Sequence, residues 1–207
     1  MIKNIIFDLS EVIISGYFGV EQLIEEQYGI PAEDFINRKQ KETLNIFLDT
    51  MRGKYSEDEY FSYLLEGTNW DISVKDLKQI IRKGIKVPLP GVMPIIQELN
   101  KKYKLILLSD YVKEWKEYIS ENNADLAIFK YQYYSFDYNR LKHDKGTFQF
   151  ILNDLNIKPE ETLFIDDLEQ NVQRALENGI KGIVFKDANQ LRAELIKMNV
   201  LLSNDTN

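Results

Sequence analysis

Four short stretches carry side chains that could act together: Asp8 in "FDLS", Ser109 and Asp110 in "LLSD", Lys142 in "RLKHD", and Asp166 and Asp167 in "FIDDLEQN". Carboxylates gathered at one point repel each other and need a cation. The chain has no cysteine and a single histidine, His143, so thiolate and His-cluster metal sites are excluded and a metal must be held by oxygen. Mg²⁺ suits such a donor set. A metal there would offset the repulsion between a carboxylate nucleophile and a phosphate, and would orient the phosphate. Ser109 Oγ can donate to a phosphate oxygen, and Lys142 supplies a compact positive charge. Asp8 can then attack phosphorus and form an aspartyl-phosphate. Uncatalysed phosphate-ester hydrolysis is so slow that preorganised electrostatics must supply most of about 20 kcal/mol or more.

Each residue taken alone has a simpler reading. Asp8, Ser109 and the Asp166-Asp167 pair fit helix N-caps or turn positions. Lys142 and His143 fit a solvated loop, and Glu11 an exposed turn. Only their joint placement points to chemistry.

That placement follows from the elements expected around them. Strand-length apolar runs occur at 2–7, 104–108, 131–136, 162–165 and 182–185. Helical patterns fall between the later ones, at 112–121, 145–155, 169–177 and 188–198. Strands alternating with helices predict a parallel sheet covered on both faces, an α/β Rossmann-like core. Runs such as "LILL" suit strands buried on both sides. Ligands of such a sheet bind beyond the carboxyl ends of its strands, where Asp8, Ser109-Asp110 and Asp166-Asp167 stand, with Lys142 following the 131–136 run.

Between the first two strands the pattern is helical. Ser56 with Glu59, and Ser73 with Asp76, have capping-box spacing, and Gly29, Gly53 and Gly84 read as helix stops. Such a connection is far longer than an ordinary βα loop. The expected organisation is a core of 1–16 and 88–207 with an inserted helical cap at 17–87. Tyr17, Phe18 and Trp115 are expected either to line the cleft beneath that cap or to pack between cap and core.

The formal net charge of −7 argues against a nucleic-acid-binding face and against a polybasic membrane patch. No apolar run of about 18 residues suggests a membrane span. The first residues lack a basic n-region and a cleavage site, so a cytoplasmic location is expected. The tail 201–207 turns polar.

The ordered set "FDLS", "LLSD", "RLKHD" and "FIDDLEQN" resembles the motifs of the haloacid dehalogenase-like hydrolase superfamily, in the branch with a helical cap after the first strand. Within it, the chain is most similar to the epoxide-hydrolase N-terminal phosphatase domain and to small sugar-phosphate phosphatases. The resemblance implies an Mg²⁺-dependent phosphatase acting on a small phosphorylated metabolite. It implies Asp8 as nucleophile, Ser109 and Lys142 at the phosphate, and Asp167 as a direct metal ligand. Asp166 would support the metal directly or through water, and the Ser10 backbone carbonyl would be another ligand.

Three positions depart from the pattern. Ser10 stands where most phosphatases of the family carry an aspartate that protonates the leaving group and later activates water, work typically worth roughly 10²–10⁴-fold. Asp110 stands where relatives commonly have Asn. It either binds a hydroxylated substrate or weakens anion binding. "KHD" replaces a common Lys-Pro. Ser10 and Asp110 keep a second reading open, a nearly inactive phosphate-ligand-binding protein. A response-regulator receiver would carry its paired acids after the first strand, and a dehalogenase would need no metal.

Overall fold

The computed structural model describes residues 1–17, 19–85, 88–122 and 124–202. Along the chain run β1 (Asn4–Phe7), α1 (Val20–Tyr28), α2 (Ala32–Asn37), a π-helical turn (Arg38–Glu42), α3 (Leu44–Met51), α4 (Glu57–Leu65), α5 (Val74–Gly84) and α6 (Val92–Leu99). There follow β2 (Lys104–Ser109), α7 (Lys113–Asn122), β3 (Tyr131–Tyr134), α8 (Ser135–Tyr138), α9 (Thr147–Asp154), β4 (Thr162–Asp166), α10 (Glu169–Glu177), β5 (Lys181–Val184) and α11 (Ala188–Lys197).

All strand pairs are parallel, in the order β3-β2-β1-β4-β5. β1 therefore lies between β2 and β4, with Phe7 opposite both Leu107 and Ile165. Side chains alternate across the sheet. Ile5, Phe7, Leu105, Leu107, Leu163 and Ile165 pack on one face with Val92, Ile95 and Ile96 of α6 and with Trp115, Ile119, Leu191 and Leu195. Ile6, Ile106, Leu108 and Phe164 pack on the other with Phe148, Ile151 and Leu152 of α9 and Ala175 of α10. Both faces are covered, which explains why the strands are apolar without interruption.

Helices α1–α5 all fall between β1 and β2, as the sequence predicts. Both capping boxes form: Ser56 and Ser73 accept from the backbone N–H of Glu59 and Asp76, whose carboxylates take the cap N–H in return. Phe35, Tyr60, Phe61 and Leu77 of these helices are buried in the same apolar cluster as Phe7 and Trp115. Among the described residues no helix is long and apolar enough to cross a membrane.

Two expectations need correction. The run 131–136 is a strand only to Tyr134, and α8 starts at Ser135. There the Ser135 hydroxyl donates to the Met51 carbonyl and accepts from Tyr111 N–H, fixing the chain out of the sheet. Gly84, by contrast, ends α5 as expected of a helix stop, and a side chain there would meet Val20 at 2.9 Å. The helix expected from 145 begins at Thr147, because Gly146 has φ 85° and cannot be its first turn.

Candidate active site

The central strands bring the four motifs to one end of the sheet. Asp8 directly follows β1, and its N–H donates to the Ile165 carbonyl of β4 at 2.9 Å. Ser109 closes β2 and Asp166 closes β4. Lys142 comes from the loop between α8 and α9, where the Thr147 hydroxyl holds the Leu141 carbonyl at 2.8 Å. Lys142 Nζ lies 2.7 Å from Asp8 Oδ2 and 2.7 Å from Asp166 Oδ2, with all three side chains buried. The other Asp8 oxygen accepts from Leu9 N–H at 2.7 Å. Asp166 is fixed further by Leu168 N–H at 2.9 Å and by Asn171 Nδ2 at 3.1 and 3.2 Å.

Asp8, Asp166 and Asp167 each offer a carboxylate oxygen within 4.8 Å of the others. One ammonium faces these acids and Asp110, so negative charge is in excess. Burial pushes the Asp8 carboxyl well above the ordinary range, against the pull of Lys142, and Asp166 and Asp167 push the same way. Burial, then Asp166, raises Asp167 to about 6. For Lys142, burial works against the charged form, but Asp8, Asp166 and Asp110 outweigh it and hold the ammonium above its usual range. The set lacks a second cation, and its donors are all oxygens. These residues fit Mg²⁺.

Ser109 Oγ is fully buried and, among the described residues, has no hydrogen-bond partner. A buried unpaired hydroxyl costs stability, which is understandable where a ligand oxygen completes it. Asp110 takes the backbone N–H of Lys142 on both oxygens, at 2.9 and 3.2 Å. Burial raises its carboxyl above the usual range, while Lys142 pulls it down. Its visible role is to hold the loop that carries Lys142.

Ser10 lines the cleft with Glu11. The segment folds back on itself: Glu11 N–H donates to the Ile14 carbonyl, and Glu11 Oε1 accepts from Gly16 N–H at 2.7 Å. A side chain at residue 16 would meet Glu11 Oε1 at 2.8 Å and displace the Glu11 carboxylate. Glu11 is thus half-buried and engaged rather than free in solvent.

One cavity of about 800 Å³ contains Asp8, Ser10, Asp110, Lys142 and Asp167. The helices between β1 and β2 contribute Lys39, Gln40 and one side of α3. Tyr17 and Trp115 line it too, yet both are buried and pack with tilted rings against Phe47, so lining and packing coincide. Phe18 lies outside the described residues.

Residues not singled out from sequence also shape the site. Arg52, just past α3, reaches Asp144 of the Lys142 loop at 2.8 and 3.1 Å, and its Nη2 lies 3.5 Å from His143 Nε2. Asp144 in turn accepts from Leu141 N–H at 2.9 Å. Lys39 pairs with Glu21 and sits 4.2 Å over the Tyr17 ring. Asn171 was visible only as part of the fourth motif. Nothing in the local pattern marked Lys39 or Arg52.

Comparisons with known proteins agree with this arrangement. The chain is 26% identical over 202 residues to the D-ribitol-5-phosphate phosphatase of Bacteroides thetaiotaomicron, covering 94% of this chain and 97% of that protein. It is 22% identical to the chloroplast flavin mononucleotide (FMN) hydrolase 1 of Arabidopsis thaliana, covering 96% and 78%. A haloacid dehalogenase family enzyme of Bacteroides thetaiotaomicron, solved with magnesium and inorganic phosphate, superposes with a TM-score of 0.74 at 24% identity over 90% of this chain and 96% of that one. The family model for haloacid dehalogenase-like hydrolases matches residues 2–179, most of the strands and every motif described above, and the chain belongs to that family.

Proposed function

We propose that the protein is an Mg²⁺-dependent phosphatase that hydrolyses a small phosphate monoester through an aspartyl-phosphate on Asp8. The observation that carries this reading is Asp8 itself: a buried carboxylate at the tip of a central strand, 2.7 Å from Lys142, inside a cluster whose three carboxylates share that one ammonium. Residues 1–16 and 88–207 form the catalytic core in this reading, and 17–87 the cap.

Asp8, Asp166, Asp167 and the Ser10 backbone carbonyl would hold the metal. When bound, it supplies the missing charge between the acids and the phosphate. Ser109 Oγ and Lys142 Nζ bind phosphate oxygens, giving the orphaned hydroxyl its partner. One Asp8 oxygen attacks phosphorus, the Asp8 O–P bond forms, and the ester P–O bond breaks with its electron pair on the leaving oxygen. Water then cleaves the aspartyl-phosphate and restores Asp8. Ser10 cannot donate the leaving-group proton as a carboxyl would, so an alkyl ester must take that proton from another group or from water.

The named relatives suggest the ester. D-ribitol-5-phosphate and FMN share a ribityl phosphate end, and we assign that type of phosphate end to this protein. Asp8→Asn keeps the side chain's shape and removes its charge. Turnover of a phosphate-ester panel should vanish while thermal unfolding stays cooperative, and retained turnover would rule out Asp8 as nucleophile. Ser10 also favours a second reading, a phosphate-ester binder with little turnover. Steady-state rates of the wild-type protein separate the two.

A further inference from the structure

The side of the cleft facing away from the acids is apolar. On α3, Leu44, Phe47, Leu48 and Met51 recur at i, i+3, i+4 and i+7, the spacing of a single helix face. Such a face is normally turned into a core. Here Phe47 and Met51 are only partly buried against the core, and all four members of the stripe line the cavity that holds Asp8 and Lys142. Leu44 is 41% exposed, and Leu168, 52% exposed, lines the same cavity from the segment after β4. The Phe47 ring is itself backed by Tyr17 and Trp115, with centroids 5.5 and 6.0 Å away. The result is a supported aromatic and aliphatic bed continuous with the phosphate end.

Charge on this side is already committed. Lys39 is buried, paired with Glu21 and seated on the Tyr17 ring. It is therefore not set up as a second anion site. Further polar lining comes from Gln40 beside Lys39 and from α10, through Glu169, Gln170 and Arg174. The cavity's volume, about 800 Å³, falls among sites for drug-sized ligands, roughly 300–1,000 Å³, and exceeds what a pentitol phosphate fills.

Resting on the phosphatase reading above, we propose that the substrate's leaving group carries a planar, apolar portion that lies against the α3 stripe, so that the protein prefers an aryl- or heteroaryl-bearing phosphate ester over a bare polyol phosphate. A flat ring system gains most from burial against Phe47 and the leucines, whereas a polyol there would lose water from its hydroxyls without partners.

The test compares FMN with D-ribitol-5-phosphate, which present the same phosphate end, in the wild-type protein and in Leu44→Gln/Leu48→Gln, two partly exposed positions whose substitution the fold should tolerate. Binding of riboflavin, which has no phosphate, is followed in parallel by its fluorescence. We expect kcat/KM for FMN to exceed that for the ribitol ester by roughly tenfold or more, the scale of apolar pocket discrimination. The double variant should lose a larger factor on FMN than on the ribitol ester and bind riboflavin roughly tenfold more weakly. Equal kcat/KM for the two esters in the wild-type protein, or equal losses in the variant, overturns the proposal and leaves the phosphatase reading standing. Absence of turnover with both esters defeats the phosphatase reading instead. The riboflavin titration then decides the proposal alone: binding weakened in the variant supports it, and no binding or undiminished binding overturns it.

Discussion

Replacing Asp167 by asparagine should stabilise the metal-free protein while removing one of the proposed metal ligands. The Asp167 carboxyl is raised from 3.8 to about 6, first by burial and then by Asp166. At neutral pH it is ionised in the folded state against that resistance, which amounts to about 3 kcal/mol at roughly 1.4 kcal/mol per pH unit. Asp167 is only half-buried, so solvent screening leaves about 1–2 kcal/mol. The sign follows from linkage. A carboxyl with a raised folded pKa lets the native state bind the proton more tightly, so its contribution to stability falls as pH rises from 3.8 to about 6. Asparagine removes that loss. For a chain of this size the gain is roughly 3–6 °C in Tm. Thermal unfolding in EDTA at neutral pH measures it, and repetition at about pH 4 should bring wild type and variant together. With millimolar Mg²⁺ the order should reverse, since ligand binding to the native state stabilises only the protein that retains the site. An Asp167→Asn protein that melts at or below the wild type in EDTA at neutral pH would refute the charge-excess argument.

Lys142→Met removes the ammonium that Asp8 and Asp166 share and should cost about 3–5 kcal/mol in metal-free protein, read by urea denaturation; a loss below about 1 kcal/mol would mean the acids are not held by that charge. Ser10→Asp should flatten the dependence of the phosphorylation rate on leaving-group pKa, measured in single turnover over a series of alkyl and aryl phosphates, and a series already flat in the wild type would show that another group donates the proton. Arg52→Ala should weaken stability by about 1 kcal/mol at neutral pH. Because the Arg52 guanidinium lowers the Asp144 carboxyl below 3.8, that difference should persist down to about pH 4 and disappear as pH falls through the lowered value.

Much of the site was legible in the chain because a parallel sheet gathers the carboxyl ends of its strands. Knowing that Asp8, Ser109 and Asp166 end apolar runs was nearly enough to place them together, and the apolar runs themselves followed from a sheet buried on both faces. Capping boxes at Ser56 and Ser73 were equally readable, since they are local hydrogen bonds between residues three apart. Tertiary structure decided which partner each polar group takes. Asp110 reads in sequence as a possible substrate contact; it lines the cleft and also holds the Lys142 N–H across a separation of 32 residues. Arg52 meets Asp144 across 92. Such pairings depend on how segments distant in the chain settle against one another, which no local propensity encodes. The α3 stripe makes the same point most clearly. Its spacing in the sequence fixes that Leu44, Phe47, Leu48 and Met51 share a face, but periodicity reports only that a face is apolar. Whether that face meets a core or an open cleft is set by the space the rest of the chain leaves in front of it.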